Sequence, residues 1–171
     1  TEYLGILVDE KAGVMQNNPL LDIRIRQAIN YGFDRVKMMR YLRNNIGIPA
    51  TNGMIPKGLP AFDTTLVNGY TYQPEKVKAL LAEAGYPGGK GLPEVTVQTS
   101  AEYLDLCEYI QGEVSRMGIP LNVEVTPPST LRQSMATGKA AFFRGSWIAD
   151  YPDGENYLSL FYSANKAPNG P

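Results

Sequence analysis

The sequence predicts an α/β layered domain with a mostly parallel sheet, and three observations carry that expectation. Short β-branched runs alternate with longer stretches whose apolar residues recur at helical spacing, in the order β-α-α-loop-α-β-α-β-α-β-α. Most strands are separated by helix-length segments instead of tight turns, which calls for crossover connections. Of 171 residues, 43% are hydrophobic and 19% charged, the composition of a globular chain large enough for a proper core.

Each element follows from local chemistry. Tyr3 to Val8 is apolar at nearly every position and reads as a buried strand. Asp22 has the side chain of a helix N-cap, and behind it Ile25, Ala28, Ile29, Gly32 and Phe33 fall on one helical face. Gly32 in that stripe predicts close packing. Asp34 caps a second short helix, Arg35 to Arg43. From Gly47 to Tyr72 the chain is punctuated by Pro and Gly and shows no sustained period, so it is a long loop that is functional or packed on another surface. Pro74 opens a helix with Val77, Leu80, Leu81 and Ala84 inward, and Gly85 ends it. Val95–Thr99 is a strand; Tyr103 to Met117 is a helix stopped by Gly118. Leu121, Val123 and Val125 alternate with polar residues in a strand with one wet face. Ser129 or Thr130 is expected to cap the next helix, which ends by Gly138. Ala140 to Ile148 is the last strand, Asp153 starts a last helix carrying Tyr157, Leu158, Leu160 and Phe161, and residues 164–171 form a soft tail.

Composition narrows the function. Lys plus Arg is 16 against 17 for Asp plus Glu, so no charge excess argues for a nucleic-acid partner. The chain has no histidine, which removes the commonest general base and transition-metal ligand, and with them a Ser-His or Cys-His nucleophile. The single cysteine, Cys107, sits in an apolar helical pattern as a small buried hydrophobe. No metal or cofactor is expected. No apolar run reaches the roughly 18 residues of a membrane span, and no leader-like segment opens the chain at Thr1. The basic residues from Arg24 to Arg43 read as a solvated helix face. Gly88-Gly89-Lys90-Gly91 lacks the spacing of a phosphate-binding loop and precedes a strand, so that reading is rejected.

In an open α/β sheet, ligands sit beyond the carboxyl ends of the strands. Arg144, Trp147 and Asp150 lie along and just past the end of the last predicted strand and are the candidate site. An arginine holds a carboxylate by a two-pronged hydrogen bond, an aspartate pairs with an amine, and tryptophan supplies a flat apolar wall. Other roles stand beside these: Asp150 as a turn or helix cap, Arg144 in a structural ion pair, or Asp150 with Asp153 as a glycosidase-like carboxylate pair. The pleat sets Arg144 opposite Trp147, so convergence requires a bend near Gly145.

Three segments, in order, resemble the family 5 extracellular solute-binding proteins, the peptide, dipeptide and nickel binding components of ABC importers. They are LLDIRIRQAINYGFDR (Leu20 to Arg35), YQPEKVKALLAEAGYPGG (Tyr72 to Gly89) and SWIADYPDGENYLSLF (Ser146 to Phe161). The resemblance implies a periplasmic-binding-protein type II-like lobe spanning 1–171, a large part of the second lobe of a longer two-lobed protein. It implies a location in the periplasm or outside the cell, free or lipid-anchored, with a secretion signal and a further lobe upstream. Its implied partners are a short peptide, a membrane permease and the first lobe, and it implies binding without catalysis. By the same resemblance Asp150 receives the ligand's α-amino group and Arg144 its carboxylate. Gly145, Ser146, Trp147 and Ile148 would pair with the peptide main chain. An oligosaccharide ligand, held mainly by Trp147, is the alternative; a carboxylate-dependent hydrolase is a more distant one. The sequence departs from the family pattern at Gly32, Gln73 and Gly154, which touch the scaffold more than the charged site.

Overall fold

A computed structural model describes residues 1–167. Four short strands, β1 (Glu2–Ile6), β2 (Val95–Thr99), β3 (Leu121–Val125) and β4 (Phe142–Ser146), form one sheet in the order β1-β4-β2-β3. β2 runs parallel to both β3 and β4, and β1 lies antiparallel on β4. The expected mostly parallel sheet is present, with an antiparallel strand at one edge.

Among the described residues six α-helices accompany it: α1 (Ile23–Tyr31), α2 (Arg35–Leu42), α3 (Pro74–Glu83), α4 (Leu104–Ser115), α5 (Pro128–Ala136) and α6 (Gly154–Leu158). The caps follow local chemistry. Asp22 accepts from the Arg24 N–H at 2.8 Å, and Asp34 accepts from Val36 and Lys37 at 3.0 and 3.1 Å. Gly32 does permit close approach, since a Cβ there would sit 3.0 Å from Val114 Cγ1 on α4.

The core lies on one face of the sheet. Ile25, Ala28 and Ile29 of α1, Val77 and Leu81 of α3, and Cys107 and Val114 of α4 pack with Val95, Val97 and Phe142 of the strands. Each large side chain buried there contributes roughly 1.5–3 kcal/mol. Leu131 of α5 is buried outside this cluster, as expected for the helix that returns the chain across the other face.

Several boundaries differ from expectation. β4 stops at Ser146 and not at Ile148, because β2 has already ended at Thr99 and the pairing with β1 ends at Glu2 opposite Ser146. β1 starts at Glu2 and ends at Ile6, where its pairing with β4 ends. α4 is preceded by a 3-10 turn, Ala101–Tyr103, and stops at Ser115. Neither Ser129 nor Thr130 caps α5: the helix begins at Pro128, whose fixed φ opens it without a side-chain cap. α6 ends at Leu158 and continues as a 3-10 turn, leaving Leu158 and Phe161 exposed. Of the expected soft tail, Ser163–Asn165 is another 3-10 turn and Lys166 pairs with Asp9 at 2.8 Å; residues 168–171 lie outside the described residues.

Most of the basic cluster is engaged within the chain. Arg24 pairs with Asp22, Lys37 with Asp34 and Arg43 with Asp105, while Arg26 donates to the carbonyls of Leu20 and Leu21. Asp22, hydrogen-bonded by Arg24, and Asp105, hydrogen-bonded by Arg43, are both held below the ordinary aspartate pKa of 3.8. A depressed carboxylate pKa contributes stability that is present above the unfolded value and lost as pH falls through the folded one. Stability should therefore decline below about pH 4, and Asp105→Asn should flatten part of that decline in urea titrations repeated across the acid range.

Candidate functional site

The chain leaves β2 through α4 to β3, then returns through α5 to β4 on the other side of β2. The order thus reverses between β2 and β4, and in such sheets ligands bind beyond the carboxyl ends of the strands at this point, here Thr99 and Ser146. Every candidate residue lies on β4 or on the four residues that follow it.

Main-chain directions at β4 are set by β1. The Thr1 N–H donates to the Trp147 carbonyl at 2.7 Å and the Trp147 N–H donates to the Thr1 carbonyl at 2.8 Å. In an antiparallel ladder such pairs alternate, so Gly145 opposite Tyr3 is also turned toward β1, and Ser146 opposite Glu2 is turned away. β2 reaches β4 with Gln98 opposite Phe143, so Ser146 lies past its end. Ile148 is 85% exposed and makes no backbone hydrogen bond among the described residues. Of the four residues expected to meet a ligand main chain, Ser146 and Ile148 leave theirs open, whereas Gly145 and Trp147 spend theirs on β1.

Two glycines let the β1–β4 pair close. The Tyr3 ring lies across Gly145 and the Phe143 ring across Gly5, with the rings edge-to-face at 6.3 Å. A Cβ on Gly145 would sit 2.5 Å from Tyr3 Cζ, so the small residue is required by its cross-strand neighbour.

Arg144 and Trp147 engage different neighbours, as the pleat requires. The Arg144 guanidinium lies 3.1 Å from the centroid of the Tyr103 ring. It donates to Ser146 Oγ, which donates to Glu2 Oε2 at 2.8 Å, and Arg144 itself forms an ion pair with Glu2. Its side chain is only 10% exposed, against 52% for Glu2, and its Nε is buried without a partner. Burial pushes the Arg144 pKa down to about 10, while the adjacent carboxylate favours the charged form. The Trp147 indole N–H donates to Asn156 Oδ1 at 2.7 Å, and Asn156 is buried in α6.

Asp150 is solvent-exposed and takes part in no ion pair among the described residues. The capping of α6 falls to Asp153, whose carboxylate accepts from the Glu155 N–H at 2.8 Å. The two acids so contemplated as a pair have different surroundings: one is spent on a helix terminus and the other is available.

An open groove of about 1350 Å³ runs along β1, with α2, α4, the 46–57 part of the long loop and residues 160–167 contributing to its walls. Arg144 lines it together with Glu2 and Tyr103; Asp150, Trp147, Gly145, Ser146 and Ile148 do not. The long loop is thus partly a wall of this groove, and it also packs on α6, where a Cβ on Gly154 would meet Ala61 and Ile55. Arg35 lines the groove too. It donates to the Asn30 carbonyl at 2.8 Å and to Asn30 Oδ1 at 3.0 Å, and burial pushes its pKa down to about 10. Among the described residues no group of three or more His, Cys, Asp and Glu side chains is gathered for a metal.

Sequence reasoning missed Glu2, Tyr103 and Asn156. Asn156 carried a signal, as the asparagine of the matched SWIADYPDGENYLSLF segment. Glu2 and Tyr103 carried none, since strand pairing and a helix start bring them to Arg144.

Residues 2–169 match the family described as bacterial extracellular solute-binding proteins, family 5 middle. The chain belongs to that family. A dipeptide-binding protein of Escherichia coli (strain K12) is 25% identical over 99% of this chain and 32% of its own length. Heme-binding protein A of Haemophilus influenzae is 26% identical over 98% of this chain and 31% of its own length. This family 5 chain therefore spans about a third of the length of those curated relatives. Among solved structures, Listeria monocytogenes OppA bound to peptide superposes with a TM-score of 0.82 at 19% identity, covering 95% of this chain and 33% of that one. That likeness shows the fold, type II periplasmic-binding-protein-like as the resemblance implied.

Proposed function

We propose that this chain is one lobe of a longer substrate-binding component of an ABC importer, which captures short peptides outside the cytoplasm and delivers them to a membrane permease. The ligand lies between this lobe and a further one, and the protein works by binding and not by catalysis. The observation that carries this reading is Asp150: an exposed carboxylate with no ion-pair partner among the described residues, four residues past the end of β4. A peptide's α-ammonium is its natural counterpart, and lobe closure removes the pair from water, where a lost partner becomes costly. Ser146 and Ile148 offer main-chain groups to an extended ligand, the strand-addition mode that binds peptides with little regard to side chain. Dipeptide- and di/tripeptide-binding names among the relatives support the same class.

Isothermal titration of the full-length protein with a mixed di- and tripeptide pool tests it. Asp150→Ala is expected to weaken binding by more than about a hundredfold; unchanged affinity would remove the reading. No observation favours a hydrolase, because Asp153 is engaged as a helix cap. A sugar held by Trp147 predicts the opposite result, with Asp150→Ala harmless.

A further inference from the structure

We infer that Glu2 is a specificity-determining residue of this site: it occupies the guanidinium of Arg144, so the site takes peptides by their amine end and disfavours a ligand carboxylate placed at Arg144. The inference rests on the peptide reading above and goes beyond it by naming which end of the ligand is read.

The β1–β4 register puts Glu2 opposite Ser146 and Leu4 opposite Arg144, which makes Glu2 and Arg144 diagonal neighbours on one face of the sheet. The contact is built in three ways: a direct ion pair, a bridge through Ser146 Oγ, and the Tyr103 ring across the guanidinium plane. With its side chain 10% exposed, Arg144 has little surface left for a second anion. Glu2 and Arg144 cancel, and Asp150 remains as the uncompensated charge of the set. An approaching ammonium can pair with Asp150, which no ion pair among the described residues occupies. An approaching carboxylate must either displace Glu2 or share one guanidinium with it, and like charges brought together in a partly desolvated cleft disfavour that ligand. Arg144 thus serves the scaffold, holding β1 to β4 near the carboxyl end of β4, more than it serves the ligand's carboxyl end.

The experiment is titration of the full-length protein with trialanine and with trialanine carboxamide. The wild type is expected to bind the amide at least as tightly as the free acid. Glu2→Gln, which keeps the shape and frees the guanidinium, is expected to improve binding of the free acid by about tenfold while the amide changes less than about twofold. The gain is expected to vanish in the Glu2→Gln, Arg144→Gln double variant. A wild type that prefers the free acid, a Glu2→Gln variant with an unchanged acid-to-amide ratio, or a gain that survives the double substitution each overturns the inference and leaves the peptide reading standing. A folded wild type that binds neither form defeats the peptide reading, and the inference with it.

Discussion

Phe142→Ala is expected to lower the unfolding free energy by roughly 3 to 5 kcal/mol. Phe142 is 1% exposed and is among the largest fully buried side chains. It opens β4 and packs into the cluster formed by α1, α3, α4 and the β2 valines. Truncation removes the transfer free energy of a benzyl group and leaves a void between helices whose own neighbours hold them in place, so little of the loss is recovered by collapse. The effect reaches function through the chain. β4 carries Arg144 and Ser146 on the same alternation as Phe142, and its exit carries Trp147 and Asp150. Urea unfolding of the protein, followed by far-ultraviolet circular dichroism, should show the midpoint falling with the slope preserved. A loss below about 1 kcal/mol would mean that β4 is not anchored by this core.

Gly89→Ala should be comparably severe, by a different mechanism. Gly89 has φ +79°, a conformation that costs an alanine about 1–2 kcal/mol. Its Cβ would also lie 2.7 Å from the Cα of Gly118, closer still to the Gly118 carbonyl group. Gly118 itself has φ +92°, and a Cβ there would run into the Gly88 carbonyl carbon at 2.8 Å. The turn after α3 and the turn after α4 thus meet backbone to backbone, and neither can yield as a flexible side chain could. Strain and clash together are expected to reach about 3 kcal/mol or more. Gly88→Ala is the control. Gly88 also has positive φ, +62°, yet a Cβ there meets nothing within 4 Å, so only the conformational part, about 1 kcal/mol, should appear. Equal midpoints for the two variants in the same denaturation series would refute the backbone-contact account.

These residues also show what local chemistry can disclose. The Gly88-Gly89-Lys90-Gly91 run was recognisable as no phosphate loop from its spacing, but its purpose was not, because the Gly118 it touches is 29 residues away in sequence. The helices beginning at Asp22, Asp34 and Pro74 were legible, since a cap or a first-turn proline acts within three residues of itself. The start of α5 was misread for an instructive reason: Ser129 and Thr130 are good caps, but Pro128 had already opened the helix ahead of them. β4 was overextended because hydrophobicity continues to Ile148, whereas a strand lasts only as long as its neighbours do.

The site divides in the same way. Asp150 was identifiable as an acid following a strand, and its position past the end of β4 needed nothing beyond the sequence pattern. Arg144 was identifiable as an arginine on that strand, but its pairing was not. Glu2 lies 142 residues from it in sequence and reaches it only because β1 adds antiparallel to the edge of β4.

What the amino-acid order determined alone was of short range: the alternation of strand and helix, the caps at Asp22 and Asp34, the apolar faces of α1, α3 and α4, and an acid at a strand exit. Those features depend on neighbours within one or two turns, where periodicity and capping chemistry act. Tertiary structure alone decided the strand order β1-β4-β2-β3, the reversal it places between β2 and β4, and the neutralisation of Arg144 by Glu2. Pairing across a sheet joins residues by register and desolvation, which depend on the folded arrangement and leave no mark in the spacing of either segment.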